Sequence, residues 1–90
     1  MNLNLKFLTI KCNQTIHATD AIPFGVGVVG MPAGSRVIAA WVGAVNGTWC
    51  AQIQVSVTSF DSTNVNGFFF NPLPVAIVTD VEATIILAYE

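Results

Sequence analysis

From Trp49 to Thr58 the chain alternates without a break, with Trp49, Ala51, Ile53, Val55 and Val57 in one set and Cys50, Gln52, Gln54, Ser56 and Thr58 in the other. A period of two puts successive side chains on opposite faces of a strand, and no helix gathers such a pattern into one apolar stripe. The same period returns near the end of the sequence. There Val81, Ala83, Ile85, Leu87 and Tyr89 share a face opposite Glu82, Thr84, Ile86 and Ala88. Ahead of the first run, Asn46-Gly47 offers the two residues tolerant of positive φ that a type I′ hairpin turn requires. Residues 36–45 before it are nearly all apolar, as expected of a strand buried on both faces.

Turn chemistry divides the remainder. Met31-Pro32-Ala33-Gly34 fits a type I turn, with Pro second and Gly fourth. Asp61-Ser62-Thr63-Asn64 is a polar turn cluster, Asn66-Gly67 marks a bend, bulge or second tight turn, and Thr79-Asp80 reads as a tight turn. The prolines of Asn71-Pro72-Leu73-Pro74 lack donors and interrupt any ladder. Near the N-terminus Leu3, Leu5 and Phe7 alternate with Asn2, Asn4 and Lys6, and the phase changes at Leu8 and Ile10, which predicts a bulge or altered burial there. About eight strands with no helix predict an all-β chain, a single small β-sandwich or jelly-roll-like domain of antiparallel strands.

Ninety residues hold one domain, 1–90, near the size at which a private core barely suffices. With 53% hydrophobic and only 9% charged residues, such a chain leaves apolar groups on its surface, and association covers them. The longest apolar stretch, residues 37–45, falls short of the roughly 20 residues of a spanning helix, and Gly43 interrupts it. The first residues alternate and lack the basic-then-apolar order of a secretory signal. A net charge of −2, with only Lys6, Lys11 and Arg36 as basic residues, offers no patch for nucleic-acid phosphates. Gly25, Gly27 and Gly30 are followed by no lysine of a phosphate loop. Cys12 and Cys50 could pair, but two are too few for a disulfide framework, and the favoured reading is two free, buried thiols.

Reactive chemistry is sparse. His17 is the only histidine, and a catalytic role would need an adjacent nucleophile and an orienting carboxylate. One His, two distant cysteines and five scattered acids have no metal-ligand spacing. Asp20, Asp61 and Asp80 sit in predicted turns, where Asp caps backbone amides. The expectation is a non-enzyme without cofactor or metal. The least ordinary feature is Phe68-Phe69-Phe70. Neighbours on a strand point to opposite sides, so at least one ring meets a second surface. Together with Leu3, Leu5 and Phe7, these phenylalanines are the candidate subunit interface. Residues 1–10 are a candidate N-terminal arm or edge strand exchanged with a neighbour.

The stretch Met31-Pro32-Ala33-Gly34-Ser35-Arg36-Val37-Ile38 opens a long apolar strand, and the chain closes on Ala83-Thr84-Ile85-Ile86-Leu87-Ala88-Tyr89-Glu90. In this style, over residues 31–90, it resembles the small jelly-roll-like virion structural proteins of tailed bacteriophages. That resemblance implies a self-assembling capsid decoration or fibre/spike component, a homo-oligomer with a trimer favoured, made in the host cytoplasm and bound to other virion proteins. The alternative is a carbohydrate-binding jelly-roll module that meets host-surface glycan through Trp41, Trp49, Asp61 and Asn64.

Overall fold

The computed structural model describes residues 3–90. Strands β1 (Asn4–Cys12), β2 (Thr15–Ile16), β3 (Ala21–Gly27), β4 (Val37–Thr48), β5 (Gln54–Phe60), β6 (Asn64–Phe70), β7 (Ile77–Val78) and β8 (Asp80–Tyr89) follow one another, with no helix among the described residues. Every pairing is antiparallel, in two three-stranded sheets, β1-β8-β4 and β3-β6-β5, and a short β2-β7 pair. The expected small, eight-stranded antiparallel β-sandwich is what forms.

The register explains how two sheets arise from one ribbon. Asn4 faces Tyr89 and Cys12 faces Val81, and the same register continues through Thr15 opposite Val78. It shifts by two residues before Ala21 meets Phe70. The segment from β1 to β3 is therefore one interrupted strand laid against the segment from β6 to β8, with β4 and β5 in succession along the other side. Laid straight, the stretch from Asn4 to Gly27 would reach about 80 Å at ~3.3 Å per residue. The molecule measures 46 × 18 × 17 Å, so the ribbon folds back on itself. The connection of residues 28–36 ties its far ends together. The Val28 amide donates to the Thr63 carbonyl at 2.8 Å at one end, and Arg36 exchanges two backbone hydrogen bonds with Glu90 at the other.

Folding back brings the two inner faces into one core. Ile10, Cys12, Val81, Ala83, Ile85 and Leu87 of the first sheet join Val65 and Phe69 of the second, with Ile16 and Ile77 at the bend. The rings of Phe24 and Phe69 pack edge to face, their centroids 5.5 Å apart. At the bend, where prolines deprive the ladder of donors, a fully buried Asn71 replaces it. Its amide nitrogen donates to the carbonyls of Ile16 (3.1 Å), His17 (3.2 Å) and Val75 (2.9 Å), and its oxygen accepts from the Leu73 amide at 3.0 Å. β8 lies between β1 and β4, and β6 between β3 and β5, so the last third of this sequence fills the middle of both sheets.

Several local expectations are corrected. Asn46-Gly47 is not a hairpin turn but lies within β4, paired with Glu82 and Val81 of β8. Gly47, at φ +114°, is required because a Cβ there would lie 2.0 Å from the Asp80 carbonyl oxygen. The chain turns just beyond, where Trp49 takes φ +70° and its carbonyl accepts from the Gln52 and Ile53 amides. The alternating strand consequently starts at Gln54, and β4 and β5 join different sheets. β4 is an edge strand with an outward face, not one buried on both sides. Asn66-Gly67 lies inside β6, and the bulge is on β5 between Val57 and Ser59. The Pro-Ala-Gly turn falls one residue later, closed by the Ser35 amide on the Pro32 carbonyl, with Gly34 at φ +84°. Thr79-Asp80 is no turn either, since Thr79 is buried and its amide continues the ladder to the Gln14 carbonyl at 3.0 Å. β1 keeps one phase throughout: Leu8, Ile10 and Cys12 point inward, Leu5, Phe7, Thr9 and Lys11 outward, with no bulge. Two interleaved apolar sets, one on each face, imitate a phase change.

Candidate functional site

The outward face of the β1-β8-β4 sheet is built in four cross-strand rows. Leu5, Ala88 and Ala39 form one, and Phe7, Ile86 and Trp41 the next. Thr9, Thr84 and Ala44 follow, and Lys11, Glu82 and Asn46 close the series. The face thus grades from wholly apolar at one end to charged at the other. Leu3, Leu5 and Phe7 are 59%, 53% and 63% exposed, and Trp41 is 42% exposed. These are unusual values for side chains with so much apolar surface to bury. Local geometry fixes the second row. Gly43 is the extra residue of a bulge on β4, and the Ile86 side chain occupies the space above it, 2.8 Å from where a Cβ would stand.

At the charged end Lys11 Nζ stands 3.6 Å from Glu82 Oε2. An open cavity of about 310 Å³ lies there, lined by Lys11, Asn46, Gly47, Asp80, Val81 and Glu82. Its cation and one carboxylate answer each other, and its lining residues include no serine, threonine, histidine or cysteine.

The phenylalanine run divides by parity. Phe69 is 1% exposed in the core, which removes it from the candidate interface, because its ring is already packed against Phe24. Phe68 and Phe70 face the other way, on the outside of the second sheet beside Pro23 and Ala21, with Phe68 exposed and Phe70 half-buried. They do not join Leu3, Leu5 and Phe7, which lie on the first sheet.

The residues of the glycan reading do not converge. Trp41 belongs to the apolar rows, and Trp49 sits in the turn after β4, roughly 25 Å away at ~3.3 Å per residue. Asp61 and Asn64 form the β5-β6 turn. Asp61 Oδ1 accepts from the Thr63 amide (2.7 Å), the Thr63 hydroxyl (2.8 Å) and the Asn64 amide (2.8 Å). Those bonds, that of the Thr63 amide foremost, hold the Asp61 carboxyl below its usual range. It is committed to the turn.

His17 is an exposed side chain next to β2. Cys12 and Cys50 are both free, and the buried Cys12 thiol lies 3.5 Å from the Thr79 hydroxyl. No group of three His, Cys, Asp or Glu positioned to hold a metal occurs among the described residues. Ile86 was the contributor to the apolar face that the sequence offered least directly. Its outward phase was readable from residues 81–89, but its place between Phe7 and Trp41 needed the register. Comparison with protein-family models, with curated proteins and with solved structures found no match.

Proposed function

We propose that this protein is a non-enzymatic, self-assembling structural protein of a bacteriophage virion, a capsid decoration or a fibre/spike component. The observation that carries the self-assembly is the row Phe7-Ile86-Trp41 with its neighbours Leu3 and Leu5, a large-residue apolar face left uncovered on a rigid sheet. Contiguous patches of this kind mark interaction sites, and aromatic residues commonly anchor them. Support for the virion role is the likeness in style over residues 31–90, together with a small, nearly uncharged β-sandwich suited to repeated subunit contacts.

Two measurements test the reading. Light scattering across a concentration series should find a homo-oligomer, and a monomer at every concentration would overturn self-assembly. The genes beside the coding sequence should encode capsid or tail proteins; a metabolic operon would overturn the virion role. Glycan binding abolished by Trp49→Ala would replace the proposal with the carbohydrate-binding alternative.

A further inference from the structure

Resting on self-assembly as proposed above, we infer that the unpaired edge of β1 is the seam, joined antiparallel to β1 of a second copy so that the first sheet runs on across the two molecules. Four long strands lie at sheet edges: β1 and β4 in the first sheet, β3 and β5 in the second. An open edge is a row of free N–H and C=O groups, and natural proteins blunt such rows with bulges, prolines or charges. Three of the four are blunted here. β4 carries two bulges, between Val37 and Ala39 and between Val42 and Ala44, and β5 carries one between Val57 and Ser59. β3 has Pro23 and two glycines, Gly25 and Gly27.

β1 has neither a bulge nor a proline, and of such devices it carries only charge, at Lys6 and Lys11. Its nine residues keep an unbroken register, with no proline or glycine. Among the described residues, the backbone of Asn4 to Lys11 pairs with β8 and with nothing else. Roughly every second amide and carbonyl of such a strand points away from its one neighbour. Its two lysines do little to guard it. Lys11 is paired with Glu82, and Lys6, half-buried on the inner side, reaches toward Gly30 in the connection of residues 28–36.

The same strand bears Leu5 and Phe7, with Leu3 just ahead of it, and all three are more than half exposed. The occupant that fits is this strand itself. Antiparallel pairing that sets Phe7 opposite Phe7 also sets Leu5 opposite Thr9, Lys6 opposite Leu8 and Lys11 opposite Leu3 of the second copy. No two lysines then face each other, and the leucine and phenylalanine side chains of both copies form one continuous apolar strip. Among the described residues the ion pair on this face, Lys11 with Glu82, is satisfied internally, so a charged partner gains little from it. The contact is isologous, so its unit is a two-fold dimer, which replaces the trimer that the resemblance implies.

The test is hydrogen–deuterium exchange of the unaltered protein at low and high concentration, read beside light scattering on the same samples. Peptides covering β1 should slow by at least about tenfold on assembly, while those covering β3, β4 and β5 change little. An oligomer whose added protection falls on another edge, or on no edge, overturns the seam and leaves self-assembly standing. A monomer throughout overturns both. As a second reading, Phe7→Lys should keep the circular dichroism of the native sheet and abolish both the dimer and the concentration-dependent slowing in β1. A dimer that survives Phe7→Lys with β1 still unprotected also refutes the seam.

Discussion

Single residues hold this fold at the points where regular pairing fails. Asn71 is fully buried at the bend and satisfies three carbonyls and one amide that the proline-broken ladder leaves open. Asn71→Ala should cost about 3 kcal/mol, since it strands several buried polar groups at once, and chemical denaturation would measure the loss. Gly47 answers a different demand. Any Cβ there would meet the Asp80 carbonyl, so Gly47→Ala should fail to give the native circular-dichroism spectrum, even though Asn46-Gly47 lies in a strand and not a turn. Asp61 gives the pH dependence. Its folded carboxyl ionises more readily than in the unfolded chain, because two backbone amides and a hydroxyl point at the ionised form. The stabilisation is therefore present above the ordinary carboxylate range and is lost as pH falls through the lower folded value. Thermal melts below about pH 4 should decline less steeply for Asp61→Ala than for the unaltered protein.

At the scale of elements, what was legible followed from burial. The alternation at residues 81–89 gave the inward and outward sets of β8 correctly, because its register puts one set in the core. The Asp61-Asn64 turn was readable for the same local reason that holds it, a carboxylate close to its own backbone amides. Asn46-Gly47 misled because glycine serves close backbone approach as well as tight turns, and only a partner strand distinguishes the two. β1 misled because both of its faces are apolar in part, so an intact strand read as a broken pattern. The apolar rows of the first sheet were half visible: Leu3, Leu5 and Phe7 stood out, whereas joining them to Ile86 and Trp41 required a pairing of residues some eighty apart in one direction and forty-five in the other. On this element Phe7→Lys belongs among surface changes, so at a dilution where both proteins are monomers its stability should stay within about 0.5 kcal/mol of the original in denaturant titrations.

As a whole molecule the domain is elongated, with a Cα radius of gyration of 14.1 Å where a compact chain of this length has about 12 Å. Pairing through β1 would place two such bodies side by side, so small-angle scattering should find the radius rising on assembly in step with the doubled mass. One further consequence follows from β8 and β6 occupying the middles of the two sheets. A ribosome delivers the flanking strands first and the spine afterwards, so β1 and β4 emerge with no neighbour to pair with until β8 arrives. The newborn chain is for that interval a set of unpaired, apolar strands. Its lone undefended edge is then a hazard before it becomes a seam, and slow translation or a stall ahead of β8 should send nascent chains into aggregates that the finished domain avoids.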